Sequence, residues 1–299
     1  MSAQTENARR LAGTSEDVKA ARGRLAQPIT VIRPSGGWQL INFRELWQYR
    51  DLLYFLAWRD VKVRYKQTVL GATWAILQPA MMMVVFTIFF SRMAGMPSGN
   101  LPYPIFVFAG LLPWTFFATA VASAGSSVVG SERLITKIYF PRLAIPAAAV
   151  AATVVDFAIG FGLLVVLMLC YGVAPGVGLF LAPVVFAVIA LAALGVGTLL
   201  AALSVSYRDF RYVIPFMVQL WMFATPTVYM QPDGDSHHRL QRWMELNPMT
   251  GLIASFRCVT LGGPVPWAQF GIAAGCAALM LLVGCSYFRK VEDHFADII

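Results

Sequence analysis

Fifty-one consecutive residues between Asp156 and Arg208 carry no formal charge. Further uncharged stretches of 25, 39, 21 and 31 residues lie between Lys66 and Arg92, Arg92 and Glu132, Arg211 and Asp233, and Arg257 and Arg289. A helix rises 1.5 Å per residue, so about 20 apolar residues cross the ~30 Å hydrocarbon core of a bilayer. Fifty-one residues are too many for one crossing, and Tyr171-Gly-Val-Ala-Pro-Gly176 supplies the turn that divides them. The runs are continuously apolar, whereas barrel strands alternate apolar and polar residues. The pattern predicts an all-α integral membrane protein with six transmembrane helices, at 70–91, 104–129, 143–170, 178–205, 212–230 and 267–287. Only 13% of the residues are charged, about half the share in soluble domains, so lipid must solvate most of the chain.

The cations set the orientation. With the N-terminus inside, 19 of the 23 Lys and Arg residues face the cytoplasm, and Arg92, Arg239, Arg242 and Arg257 face out. That bias places both termini in the cytoplasm. It also accounts for the net charge of +8 as an insertion signal and a site for anionic lipid rather than for nucleic acid. Residues 1–40 are polar and lack an apolar core with a cleavage site, which predicts a flexible cytoplasmic tail rather than a signal peptide. The expected organisation is this tail, an interfacial amphipathic helix within 41–66, a transmembrane domain over 67–290 and a cytoplasmic tail over 291–299. In the interfacial segment Leu46, Tyr49, Leu53 and Leu56 recur at helical spacing beside Trp47 and Trp58, as expected of a helix in the membrane plane or one packed on a soluble partner.

Two connectors carry further signals. In Gly130-Ser-Glu-Arg-Leu-Ile-Thr-Lys-Ile-Tyr-Phe-Pro-Arg142, Ser131 suits an N-cap, Glu132 suits a first turn and Pro141 stops the helix. Leu134, Ile135 and Ile138 beside Arg133 and Lys137 either fit a partner's groove or form a plain connector. On the outer side, residues 240–260 are too polar to span and too apolar for an ordinary loop, with Trp243, Leu246, Met249 and Phe256 among Pro and Gly. Short re-entrant helices between spans five and six, forming an outer gate, fit this pattern. His237 and His238 lack the further ligands a metal site needs, and no CxxC suggests one. Asp156 is the one acid well inside a predicted span. Such a carboxylate either serves transport or faces a neighbouring helix.

The sequence contains no GxxxxGK[ST], HExxH or GxSxG. Nor do the spans carry the acid and histidine chains of a proton-driven pump. Uphill transport would therefore draw its energy from a partner docked on the cytoplasmic side. Most of the many aromatics should pack or sit at the interface, although aromatic planes in a pore would also contact the C–H faces of passing sugars.

The segment Trp58-Arg-Asp-Val-Lys-Val-Arg-Tyr-Lys-Gln-Thr-Val-Leu-Gly-Ala-Thr-Trp-Ala-Ile-Leu-Gln-Pro79 closely resembles the signature of type-2 ABC exporter permeases for polysaccharides. So do Pro102-Tyr-Pro, Gly110-Leu-Leu-Pro-Trp114, Leu134-Ile-Thr-Lys-Ile-Tyr-Phe-Pro-Arg142, Tyr207-Arg-Asp209 and Leu246-Asn-Pro-Met-Thr250, in order from about residue 40 onward. The resemblance implies the channel-forming subunit of an ABC transporter in the bacterial cytoplasmic (inner) membrane, exporting lipid-linked O-antigen, capsule or teichoic-acid (polyol phosphate) chains. The expected partners are a second copy of the chain, two copies of a separate ATPase that binds ATP and magnesium, membrane lipids and the lipid-linked polysaccharide. No cofactor and no enzymatic activity are expected in this chain.

By position, 131–141 corresponds to the coupling helix, with Ser131, Glu132, Arg133, Leu134, Lys137 and Ile138. Residues 44–60 match the interfacial helix, and 240–260 match the outer gate, with Trp243, Asn247 and Pro248. Trp74, Phe86, Trp221 and Tyr229 are the expected channel-lining aromatics. Arg59, Lys62, Arg64 and Lys66 sit where a lipid-linked pyrophosphate would arrive, or where ordinary anionic lipid would meet them. Two other readings stay open: an exporter of small lipids or drugs on the same scaffold, and a polytopic glycosyl or phosphoglycosyl transferase.

Overall fold

A computed structural model describes residues 47–66, 73–93, 101–135, 140–174, 176–227, 247–292 and 295. The chain divides into residues 1–37, which lie outside the described residues, and a unit over residues 38–299. Within that unit the described residues are helical and contain no strand. The helices are α1 (Arg50–Tyr65), α2 (Thr73–Phe86), continued by a π-helical turn (Thr87–Met93), α3 (Tyr103–Gly130), α4 (Glu132–Ile135) and α5 (Ala144–Cys170). After a 3-10 turn (Val177–Leu181) come α6 (Ala182–Ser206), α7 (Phe210–Phe223), α8 (Pro248–Leu261) and α9 (Trp267–Glu292).

Five segments are long and apolar enough to cross a membrane: Thr73–Phe90, Tyr103–Gly130, Ala144–Cys170, Gly178–Ser206 and Trp267–Glu292. The span expected at 212–230 differs. Its helix, α7, has 14 residues and reaches about 21 Å, short of a ~30 Å core. Pro226 explains the early end, because a proline disfavours α geometry in the residue before it. The backbone leaves the helix at Ala224 and turns through Thr227.

α3 is the central post. Most of its residues are buried, including Phe108, Trp114, Phe116 and Phe117, and it packs on α6, α5, α8, α2 and α7. Inside a bilayer, tails and side chains are equally apolar, so close fit rather than the hydrophobic effect holds helices together. The α6–α9 crossing shows how small residues supply that fit. A Cβ on Gly195 would lie 2.5 Å from the Leu281 backbone nitrogen, and one on Gly284 would collide with the Gly195 carbonyl. Thr198 seals the crossing, donating to the Gly195 carbonyl at 2.9 Å and touching Cys285.

Aromatic rings fill the middle of the bundle as packing elements. Phe157 stacks on Phe186 with centroids 4.0 Å apart, and Phe116 and Phe256 close around them. By contrast α2 buries none of its residues, and α7 buries Ile214 and Val218 while exposing Tyr212, Phe216, Leu220 and Phe223.

Candidate functional site

Within the 41–66 segment expected to be an interfacial helix, α1 forms and packs on α5. Leu56 turns inward and is 2% exposed, with Leu53 half-buried one turn earlier. Tyr54, Phe55 and Trp58 project outward, so apolar side chains occupy two sides of this helix rather than the single stripe the spacing predicts. Outward aromatics beside Arg50 and Lys62 suit the headgroup layer, where amphipathic rings reside.

The four cations nominated for a phosphate are placed differently from one another. Arg59 grips the neighbouring Asp60 at 2.8 Å. Lys62 lies over the Trp58 ring, 5.6 Å from its centroid, and Lys66 is exposed at the end of α1. Arg64 points to the middle of α5, where its Nη1 donates to Asp156 Oδ2 while the Tyr65 hydroxyl donates to Asp156 Oδ1. Burial first, then the hydrogen bond and charge of Asp156, push the Tyr65 phenol up to about 12. It therefore remains a donor throughout the physiological range. The partners of Asp156 escape a sequence reading because they lie 92 and 91 residues away.

A cavity of about 460 Å³ opens beside this cluster, between α1, α2, α3 and α5. Trp74 and Gln78 of α2 line it together with Thr115 and Phe116 of α3, facing Arg64 and Asp156. Of the expected channel aromatics, Trp74 is half exposed there. Phe86 instead packs beside Phe90 against the buried Tyr103 and Phe106. Tyr229 lies outside the described residues, as does Trp243.

At the other end, Trp221, Asn247 and Pro248 come together. Asn247 caps α8, its Oδ1 accepting from the Met249 amide at 3.1 Å, and Pro248 takes the first helical position, where no amide is needed. The same Oδ1 accepts from Trp221 Nε1 at 3.0 Å. The amide nitrogen of Asn247 donates to Thr225 Oγ1 at 2.8 Å and to the Ala224 carbonyl at 3.3 Å. One side chain thereby satisfies the α8 start and the broken α7 end. α8 closes at Gly262, whose φ of 84° is left-handed.

Arg257 completes this bracket and was not singled out from the sequence. It donates to the Pro226 and Thr227 carbonyls and lies over the Phe106 ring, 4.0 Å from the centroid. The signal that marks it is its isolation, a lone cation in α8.

In the segment expected as a coupling helix, the described residues form a four-residue helix, α4, that is less exposed than expected. The Ser131 carbonyl accepts from Leu134 and Ile135, starting α4, and Glu132 and Arg133 are exposed. Ile135 does not face water. It is 6% exposed, packed among Val128, Phe140 and Leu143, with Leu134 half-buried against them. Lys137 and Ile138 lie outside the described residues.

Among the described residues no group of His, Cys, Asp and Glu could hold a metal ion. Residues 51–261 match the family described as ABC-2 type transporter. The chain is 32% identical over 258 residues to the O-antigen export system permease protein RfbA of Myxococcus xanthus, covering 86% of this chain and 98% of that protein. It is 26% identical over 254 residues to the O-antigen export system permease protein RfbA of Klebsiella pneumoniae, covering 83% and 95%. A multi-span helical bundle with a signature that runs through more than two thirds of its length, this chain belongs to the ABC-2 type transporter family.

Proposed function

We propose that the chain is the channel-forming subunit of an ATP-driven exporter that carries a lipid-linked polysaccharide of the O-antigen class across the cytoplasmic membrane. The observation that carries this reading is the match to O-antigen export permeases over 98% and 95% of their lengths. The arrangement of exposed helices supports it. α2 buries no residue, and α7 presents Tyr212, Phe216 and Phe223 outward. Two such faces, one from each of two copies, would enclose a path lined by Trp74 and other aromatic planes, along which sugars slide without a fixed hydrogen-bond pattern.

In this reading α7 and the residues beyond Thr227 complete a sixth crossing, and both termini are cytoplasmic, as the 19-of-23 cation bias favours. A separate ATPase, two copies per complex, binds ATP and magnesium and docks on the segment from Ser131 to Ile138. ATP-driven closure of that partner moves the coupling segments and, through α3 and α5, separates the two permease copies. The other cations at the end of α1, Arg59, Lys62 and Lys66, receive the pyrophosphate of the lipid carrier, while Arg64 is turned inward to Asp156. The bracket formed by Asn247, Pro248 and Arg257, with Trp243, serves as the outer gate.

Deletion of the chain from its native cell tests the proposal. Lipid-linked glycan should accumulate inside, surface glycan should vanish, and both should recover on complementation. Unchanged surface glycan with retention of a drug or small lipid would instead favour the other exporter reading. Turnover of lipid-linked sugar by the purified chain alone would make it a transferase.

A further inference from the structure

Asp156 is the thirteenth residue of the 27-residue helix α5 and the only charged residue between Arg142 and Arg208. A lone carboxylate at that depth is costly unless it is paired. Its two oxygens are taken by two consecutive residues of another helix, Arg64 and Tyr65. Two-point attachment fixes the orientation of the α1 end as well as its position. The other interfacial cations do not cross to the bundle in this way: Arg59 stays with Asp60 and Lys62 with Trp58.

The chain then needs seven residues, 66–72, to reach the start of α2 at Thr73. α2 packs on α3 and α5 but buries no residue fully, so what anchors its leading end adds to those contacts in setting where it stands. Trp74 and Gln78, in its first turns, share a cavity with Arg64 and Asp156. We propose that Asp156 is a positioning residue for export: by holding Arg64 and Tyr65 it docks the end of α1 on α5 and so sets where α2, the exposed helix of the transport path, stands. This inference rests on the export reading for its functional half only.

The test uses the full-length chain with its four native cysteines replaced. Spin labels at V63C and V166C report α1 against α5, and labels at V84C and V166C report α2 against α5. All three sites are exposed, and dilution with unlabelled copies isolates distances within one chain. D156N should broaden both distance distributions and lower surface glycan about tenfold, as loss of one partner from a half-buried charge pair implies. R64Q should do the same, the double variant should be no worse than either single change, and R64K, which keeps the charge, should restore distances and export. Should D156N fail to accumulate in the membrane, R64Q in the non-spanning α1 carries the comparison.

Unchanged distances would overturn the docking, whatever happens to export. Broadened distances with undiminished export would overturn the positioning role, and so would a double variant whose defect multiplies. The distances need no cargo, so a failure of the export reading in the wild-type chain is told apart from a failure of this attachment.

Discussion

Trp221 near the end of α7 donates its indole N–H to the side-chain oxygen of Asn247, which simultaneously caps α8. The bond joins the short apolar helix α7 to the helix that follows it, across 26 residues of chain. Neither end is self-sufficient, because the α7 carbonyls and the α8 amides both end without helical partners.

Replacing Asn247 by Ala removes the cap and leaves the Trp221 N–H unpaired. The expected loss is about 1–3 kcal/mol, read as a lower midpoint of thermal unfolding in detergent. N247S keeps the cap oxygen and should lose less, whereas W221F removes the indole donor and leaves the cap.

The α6–α9 crossing admits no side chain at Gly195 or Gly284. G284V should destabilise by about 1–3 kcal/mol or more through overpacking, seen as reduced membrane accumulation and an aggregated elution profile. The same change at Gly271, where a Cβ meets nothing within 4 Å, should be tolerated.

How much of this was legible in the sequence depends on the distance over which each feature is written. α8 could be read locally: Asn247 and Pro248 start it, Gly262 ends it, and the structure gives α8 as Pro248–Leu261. Four long spans and the first, π-extended one follow from uncharged runs that only lipid solvates. The short α7 departs from its run because hydropathy sums over Pro226 without registering its backbone geometry. Burial of Ile135 and the attachment of Asp156 to Arg64 and Tyr65 are tertiary facts between segments far apart in sequence, and no spacing rule reaches them.

The Tyr65 phenol gives a pH signature. The folded chain keeps that proton to about pH 12, while an unfolded tyrosine releases it near 10. Between those values the unfolded state binds fewer protons than the folded one, so stability falls as pH rises from about 10. Melting midpoints of wild type and Y65F, compared from neutral to strongly alkaline pH, should show a shallower alkaline decline for Y65F.

Glu132 and Arg133 are exposed while Ile135 is packed in the core. The paired reversal E132R/R133E should leave the chain folded and reduce co-purification of the ATPase by about tenfold or more, as for loss of charge matching at an interface. I135D should instead prevent accumulation of the chain, because it buries an unpaired carboxylate.

Side-specific thiol labelling of intact cells bears most directly on the claim that the segment beginning at Ser131 faces a cytoplasmic motor. In a cysteine-free background, R133C should react with a membrane-impermeant reagent only after the cells are opened, and a cysteine at Asp235, in the polar stretch after α7 expected outside, should react from outside. Labelling of R133C in sealed cells would contradict the orientation and the attachment of the ATPase together.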